Sequence, residues 1–299
     1  MVTVFLRGGL GNQMFQYALG LNLAEKNKAE LLLDTTFLND RFPRKEFTYR
    51  TLDLDIFTLK PRLTALSKVA NTIPLPAVWL SADLAFIKLR DLLGVRRIVR
   101  EKDLCIFDPE VLRSSGDVLL WGRWQTEKYF SDITNDVRAA FRFRYPLKGE
   151  AKSLAEQIIS SNSVSLHVRR GDYAKLKSVR RLMGETDPSY YEHAVSYIAE
   201  RVKTPRFFIF SDDIAWCREN IEIPFPGIYL NSGTAGPKAS FHLELMSLCR
   251  HNIIANSTFS WWAAWLNRNS QKVVIAPKFW EKDIESEKRG IIPEGWIVL

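Results

Sequence analysis

The stretch VTVFLRGGLGNQMFQYALGL, residues 2–21, changes its period halfway along. Residues 2–6 are a β-branched and aromatic run, the pattern of a short strand. From Asn12 onward Met14, Tyr17, Ala18, Leu21 and Ala24 share one face at a period of 3.6, which predicts a helix to about residue 27. A second strand-like run follows at 30–34. Strand, glycine loop, helix and strand together open a Rossmann-like α/β unit. The loop is not the dinucleotide fingerprint, because Met14 stands where a third glycine belongs. Gly9 and Gly11 either let backbone approach a ligand closely or make a tight turn. Asn12 and Gln13 add amide donors and acceptors that a plain turn does not need.

The second half repeats the rhythm. A helical pattern at 149–160 leads to a strand at 163–168, in which Val164, Leu166 and Val168 alternate with polar positions, and the strand runs into HVRRGDY at 167–173. In open α/β sheets ligands sit at the C-terminal edge of the strands. His167, Arg169, Arg170 and Asp172 are delivered to that edge. The two guanidinium groups read either as a surface ion pair with Asp172 or as an anion clamp, since arginine presents a rigid fork that matches two phosphate oxygens. A strand at 206–210 ends in Ser211, Asp212 and Asp213, which either face a ligand or cap the next helix. A strand at 251–255 runs into Asn256, Ser257, Thr258, Phe259 and Ser260, whose hydroxyls and free amides suit a second anion cradle. Trp261 and Trp262, followed by Ala263, Ala264 and Trp265, are expected in a core.

Proline, glycine and charge at 145–149 place a domain boundary there, giving domains 1–148 and 149–299. Two such α/β halves facing one another make an interdomain cleft, the usual place for a small-molecule site. A hydrophobic content of 46% supplies ample core for both. Residues 61–93 hold two helical patterns, and the basic, unperiodic run 175–181 is expected to be a mobile loop able to close on a ligand. Leu52 to Ile56 alternates apolar and acidic positions, so Asp53 and Asp55 either hold a divalent ion or face water from a half-buried strand.

The net charge of +8 favours anionic partners: nucleic acid, a membrane surface or a phosphorylated substrate. It also motivates a rival reading, a binder of nucleic acid or acidic polysaccharide. Against that rival, the basic residues are spread along the chain and no nucleic-acid-binding motif occurs. No run of eighteen apolar residues and no signal-peptide pattern is present. Cys105, Cys217 and Cys249 form no CxxC pair, which argues against a disulfide framework or a zinc site and for a reducing, cytoplasmic setting.

GGLGNQMFQYALGL at 8–21, HVRRGDY at 167–173, FSDD at 210–213 and ELMSLCRHNIIANSTFSWWAAWL at 244–266 resemble, in this order, the motifs of the α-1,2-fucosyltransferases of bacterial polysaccharide synthesis and of animals. The resemblance implies an α/β, GT-B-like fold of two Rossmann-like domains. It implies GDP-β-L-fucose as donor and transfer with inversion to the 2-hydroxyl of a galactose, with neither a cofactor nor a metal. The second domain is then the nucleotide-binding one and the first lies on the acceptor side. The resemblance sets Arg169 on the diphosphate, Asp212 or Asp213 near guanine or ribose, and the amides of Thr258, Phe259 and Ser260 near phosphate. His167, Arg170, Gly9, Gly11, Asn12, Gln13, Asn256 and Ser257 complete the expected donor contacts.

The residue chemistry agrees with this on one point: arginine forks and helix N-terminal amides take over the stabilisation of a departing diphosphate from a metal. Attack by a sugar hydroxyl also benefits from a general base. Asp172 is the acid nearest the clamp and serves either as that base or as a salt-bridge partner of the arginines; Glu185 and Asp187 are its rivals. Animal members carry an N-terminal anchor that this sequence lacks, so the resemblance is to the bacterial branch. The expected acceptor is a lipid-diphosphate-linked oligosaccharide, with Arg96, Arg97, Lys175 and Arg180 meeting an anionic membrane. Another linkage or another donor sugar is the alternative within the same enzyme class.

Overall fold

The structure, a computed structural model, describes residues 1–40, 48–65, 67–68, 97–103, 106–171, 180–181, 184, 186–282, 284–286 and 290–299. The chain divides into two compact units, Met1–Arg142 and Phe143–Leu299. Most of the helical region expected at 61–93, most of the loop expected at 175–181, and Cys105 lie outside the described residues.

The first unit is built on four parallel strands, β1 (Val2–Phe5), β2 (Leu31–Asp34), β3 (Arg97–Arg100) and β4 (Val118–Trp121), in the order β2-β1-β4-β3. The long helix α1 (Leu10–Lys26) packs on β1 so closely that a Cβ on Gly20 would lie 2.4 Å from Val4. Its apolar stripe is joined by buried carboxamides that tie separate backbone segments together. Asn22 donates to Tyr129 O at 2.7 Å, and Gln16 donates to Gly122 O at 3.0 Å and to Arg7 O at 3.2 Å. A short helix, α2 (Thr134–Ala140), follows β4. The alternation at 52–56 does not form a strand. Leu54–Ile56 is a single 3-10 turn, with Thr51 donating to Asp53 Oδ1 at 2.7 Å. Backbone bonds from Ile56 N to Asp53 O at 3.3 Å and from Phe57 N to Leu54 O at 3.2 Å close the turn in place of strand pairing.

The second unit carries six parallel strands, β5 (Asn162–Val168), β6 (Pro205–Ser211), β7 (Gly227–Leu230), β8 (His251–Ile253), β9 (Val274–Ala276) and, after a small antiparallel pair β10 (Phe279–Glu281) and β11 (Ile284–Glu285), β12 (Ile297–Val298). Their order is β12-β9-β8-β5-β6-β7. The chain runs outward from β5 to β7, then returns to place β8 on the other side of β5. The β5/β8 boundary is therefore a topological switch point, where open parallel sheets form a ligand crevice. Helices α3 (Gly149–Ile159), α4 (Pro188–Arg201), α5 (Ile214–Asn220), α6 (Ser240–Leu248) and α7 (Thr258–Leu266) accompany the strands.

The alternation along β5 sorts its side chains to two environments. Val164, Leu166 and Val168 enter an apolar core with Tyr190, Tyr191, Ala194, Val195 and Ile198 of α4. Each such fully buried large side chain contributes about 1.5–3 kcal/mol. Ser165 belongs to a buried polar chain: Asn252 donates to its Oγ at 2.7 Å, and Asn267 donates to Asn252 Oδ1 at 2.7 Å. Trp261 and Trp262 are wholly buried, as expected, with Trp261 Nε1 donating to Ile291 O at 2.7 Å.

Candidate active site

Parallel pairing of His167 with Phe210 and Val168 with Ser211 brings the polar residues that follow β5 and β6 side by side. Arg169 Nη1 donates to Asp212 Oδ2 at 2.6 Å. The second oxygen of the same carboxylate accepts from the Arg170 backbone N–H at 2.9 Å, and the Gly171 N–H also bonds the group. Burial alone would raise the Asp212 carboxyl. The Arg169 guanidinium and the two backbone N–H groups outweigh it and hold the carboxyl below its ordinary range.

Arg170 points elsewhere. Its guanidinium lies 4.0 Å from the ring centre of Trp216 on α5, and its Nε is 3.4 Å from Asp213 Oδ2. Asp213 in turn caps α5, its Oδ1 accepting from Trp216 N at 3.2 Å. Of the two readings open for this acid, the geometry therefore supplies a helix cap.

His167 is buried one residue before the end of β5, its ring 5.8 Å from that of Phe259. Burial lowers its pKa to about 3; nearby Asp212 opposes the shift, while Arg169 and His242 add to it. The imidazole is thus neutral at physiological pH, and its buried Nδ1 has no hydrogen-bond partner among the described residues. On β8's side of the switch point, Ser257 sits at the N-cap of α7 without a side-chain cap bond. Thr258 and Ser260 lie in the helix's first turn, Ser260 Oγ donating to Ser257 O at 3.3 Å. The amides of a first turn have no intrahelical acceptors and carry partial positive charge. Asn256 is buried, accepting from Thr186 Oγ1 at 3.2 Å and donating to Trp280 O at 3.4 Å.

In the first unit, Gly8 adopts φ +79°, opening the turn that starts α1, and Gly9 is the N-cap. A Cβ on Gly9 would lie 3.8 Å from the Arg50 guanidinium. Gln13 spends its carboxamide on the fold: Nε2 donates to Gly8 O at 2.9 Å and to Thr51 O at 2.8 Å, while Oε1 accepts from Asp53 N at 2.9 Å. Asn12 Oδ1 accepts from Gln125 at 2.6 Å, and Gly11 is buried at the start of the helix. Asp172 and Glu185 lie outside the described residues. Asp187 caps α4, accepting from Ser189 N at 2.9 Å, and hydrogen bonds from Ser189 hold its carboxyl below the ordinary range.

Two further titratable groups, given no role in the expected site, lie on α6. His242 shares a 2.9 Å hydrogen bond with Thr234 Oγ1, and burial lowers its pKa to about 4. Glu244, two residues on, has a buried Oε2 with no partner among the described residues, and burial raises its pKa to about 7. An isolated acid beside apolar helix positions was the visible signal for Glu244.

Across the whole of residues 1–299 the chain matches the family model described as Glycosyl transferase family 11. It is 32% identical over 298 residues to an α-1,2-colitosyltransferase of Escherichia coli, covering 99% of this chain and 98% of the relative. It is 27% identical over 276 residues to a galactoside α-(1,2)-fucosyltransferase 1 of Mico humeralifer, covering 88% of this chain and 65% of that one. Among solved structures, the fucosyltransferase NodZ from Bradyrhizobium superposes with a TM-score of 0.51 at 13% identity, over 88% of this chain and 91% of that chain, a likeness of fold. The two parallel-sheet α/β units are of the GT-B type, and the chain belongs to glycosyl transferase family 11.

Proposed function

We propose that this glycosyltransferase moves L-fucose from GDP-β-L-fucose to the 2-hydroxyl of a galactose, with inversion and without a metal. The observation that carries the reading is placement at one sheet edge: Arg169 directly follows β5, and the first turn of α7, which lacks a side-chain cap, follows neighbouring β8. A guanidinium and a set of helix N-terminal amides at one strand edge suit a diphosphate leaving group. In the single displacement, a bond forms from the galactose 2-oxygen to the fucose anomeric carbon, and the bond from that carbon to the diphosphate breaks. The hydroxyl proton passes to a base, and the new phosphate charge falls on Arg169 and the α7 amides. Asp187 suits the base role poorly, because its carboxylate is engaged as a cap and is held acidic. That leaves Asp172 and Glu185.

The acceptor in this reading is a galactose-terminated glycan, including a lipid-diphosphate-linked O-antigen repeat at the cytoplasmic face of a membrane. No helix among the described residues is long and apolar enough to cross a membrane. Arg97 and Arg180 are exposed, which suits peripheral contact with anionic lipid. Retention on anionic liposomes at low salt checks that part.

A second donor is favoured by one finding, the 32% identity to an α-1,2-colitosyltransferase. Colitose is L-fucose lacking the 3-hydroxyl, so one pocket could discriminate by a single hydrogen-bonding group. The deciding assay offers GDP-fucose and GDP-colitose in competition to galactose-terminated acceptors. Preference for GDP-fucose supports the first reading; preference for GDP-colitose replaces it.

A further inference from the structure

Both carboxylate oxygens of Asp212 are engaged within the protein. One oxygen takes the Arg169 Nη1–H at 2.6 Å, and the other takes the Arg170 N–H at 2.9 Å. The Gly171 N–H bonds the carboxylate as well. Three consecutive residues of the loop therefore wrap one carboxylate from the neighbouring strand. The wrapping is tight enough to select glycine: a Cβ on Gly171 would lie 2.4 Å from Asp212 Oδ2. Gly171 has no positive φ, so the requirement is steric rather than conformational.

We infer that Asp212 is a positioning residue for the diphosphate, acting through Arg169 and the 169–171 loop, and that Gly171 is glycine to admit its carboxylate. A guanidinium fork is rigid and planar, so fixing one nitrogen against Asp212 fixes the direction of its remaining N–H groups. The pair also neutralises the arginine within the protein. Asp212 thus sets where the cationic edge points rather than adding to the charge that attracts substrate. Asp213 is used differently: it caps α5 and meets Arg170. The inference rests on the reading that Arg169 holds the donor diphosphate.

The test compares inhibition constants of GDP and of guanosine against GDP-fucose for wild type, Asp212→Asn, Gly171→Ala and Arg169→Ala. Positioning through Arg169 predicts that Asp212→Asn and Gly171→Ala each weaken GDP by about tenfold or more, the scale of one charge-assisted hydrogen bond, and leave guanosine unchanged. Equal weakening of GDP and guanosine by Asp212→Asn, with folding intact by circular dichroism, would mean a nucleoside contact and overturn the inference. Unchanged GDP inhibition in both variants would overturn it too. The Gly171→Ala arm keeps the question open to refutation if Asp212→Asn fails to fold. Arg169→Ala separates the two levels. If it leaves GDP inhibition intact, the diphosphate reading itself fails. If it weakens GDP while the other two variants do not, only the positioning role fails.

Discussion

The guanidinium of Arg170 stacks 4.0 Å from the Trp216 ring, whereas that of its neighbour Arg169 bonds Asp212. Two adjacent arginines thus have different anchors: Arg170 fastens the β5 loop to α5, and Arg169 stays beside the switch point of the sheet. Their substitutions are expected to separate. Arg169→Ala should lower transfer by at least about two orders of magnitude, the scale of one lost transition-state charge contact. Arg170→Ala should mainly lower stability, by about 1 kcal/mol from the lost stacking. Steady-state kinetics beside urea unfolding reads both, and equal kinetic losses would refute the division.

Transfer by the wild-type enzyme should persist in EDTA, because the proposed leaving-group stabilisation comes from a guanidinium and helix amides. An assay with GDP-fucose and excess chelator checks this; restoration of lost activity by added divalent ion would contradict it.

Glu244 should make stability depend on pH in an unusual direction. Its native carboxyl holds a proton up to about pH 7, which the unfolded chain releases near its ordinary value of 4.5. The contribution is full below the unfolded value and is lost as pH rises through 7. His167 and His242, lowered to about 3 and about 4, act in the opposite sense: the unfolded chain gains protons below pH 6.5 that the native imidazoles refuse. Glu244→Gln should therefore raise the melting temperature relative to wild type at pH 8 and leave it nearly unchanged at pH 4. A uniform shift at both pH values would exclude the titration.

Replacing Gln13 by Ala removes the partners of Gly8 O, Thr51 O and Asp53 N together. The expected cost is about 1–3 kcal/mol of stability, since three hydrogen bonds made by a fully buried side chain are lost at once. Chemical denaturation checks the size. A change in donor KM with stability intact would instead assign Gln13 to the donor.

Lys238 and Ala239 occupy the left-handed region at φ +49° and +59°, immediately before α6. Such residues carry about 1–2 kcal/mol of steric cost, which glycine relieves at some cost in chain entropy. Ala239→Gly is accordingly expected to stabilise by about 0.5–1 kcal/mol, read as an increase in the urea midpoint.

Much of this was legible in the sequence because period and punctuation are local properties. The change of period at residues 2–21 marked a strand and helix, and β5's alternation announced a strand with charge at its end. The destination of a polar side chain is not local. That Gln13 bonds the backbone of Thr51 and Asp53 could not be read from the sequence, because nothing local brings those residues beside it. The wrapping of Asp212 was not legible either, because it depends on strand pairing across the sheet. Asp53 and Asp55 looked extended by alternation alone, and a three-residue 3-10 turn leaves too short a periodic trace to be distinguished.

The central place of β5 has a consequence for how the second unit comes into being. Arg169 meets its partner 43 residues later, and Ser165 meets Asn252 87 residues later. At ribosomal rates of about 5–20 residues per second, the strand waits roughly 4 to 17 seconds for its second neighbour to be synthesised. During that interval one edge of β5 offers unpaired backbone groups and the apolar side chains beside them, the features that chaperones bind and that seed aggregation. Yield on overexpression should therefore respond more to slowed translation and chaperone supply than to changes in the exposed helix surfaces.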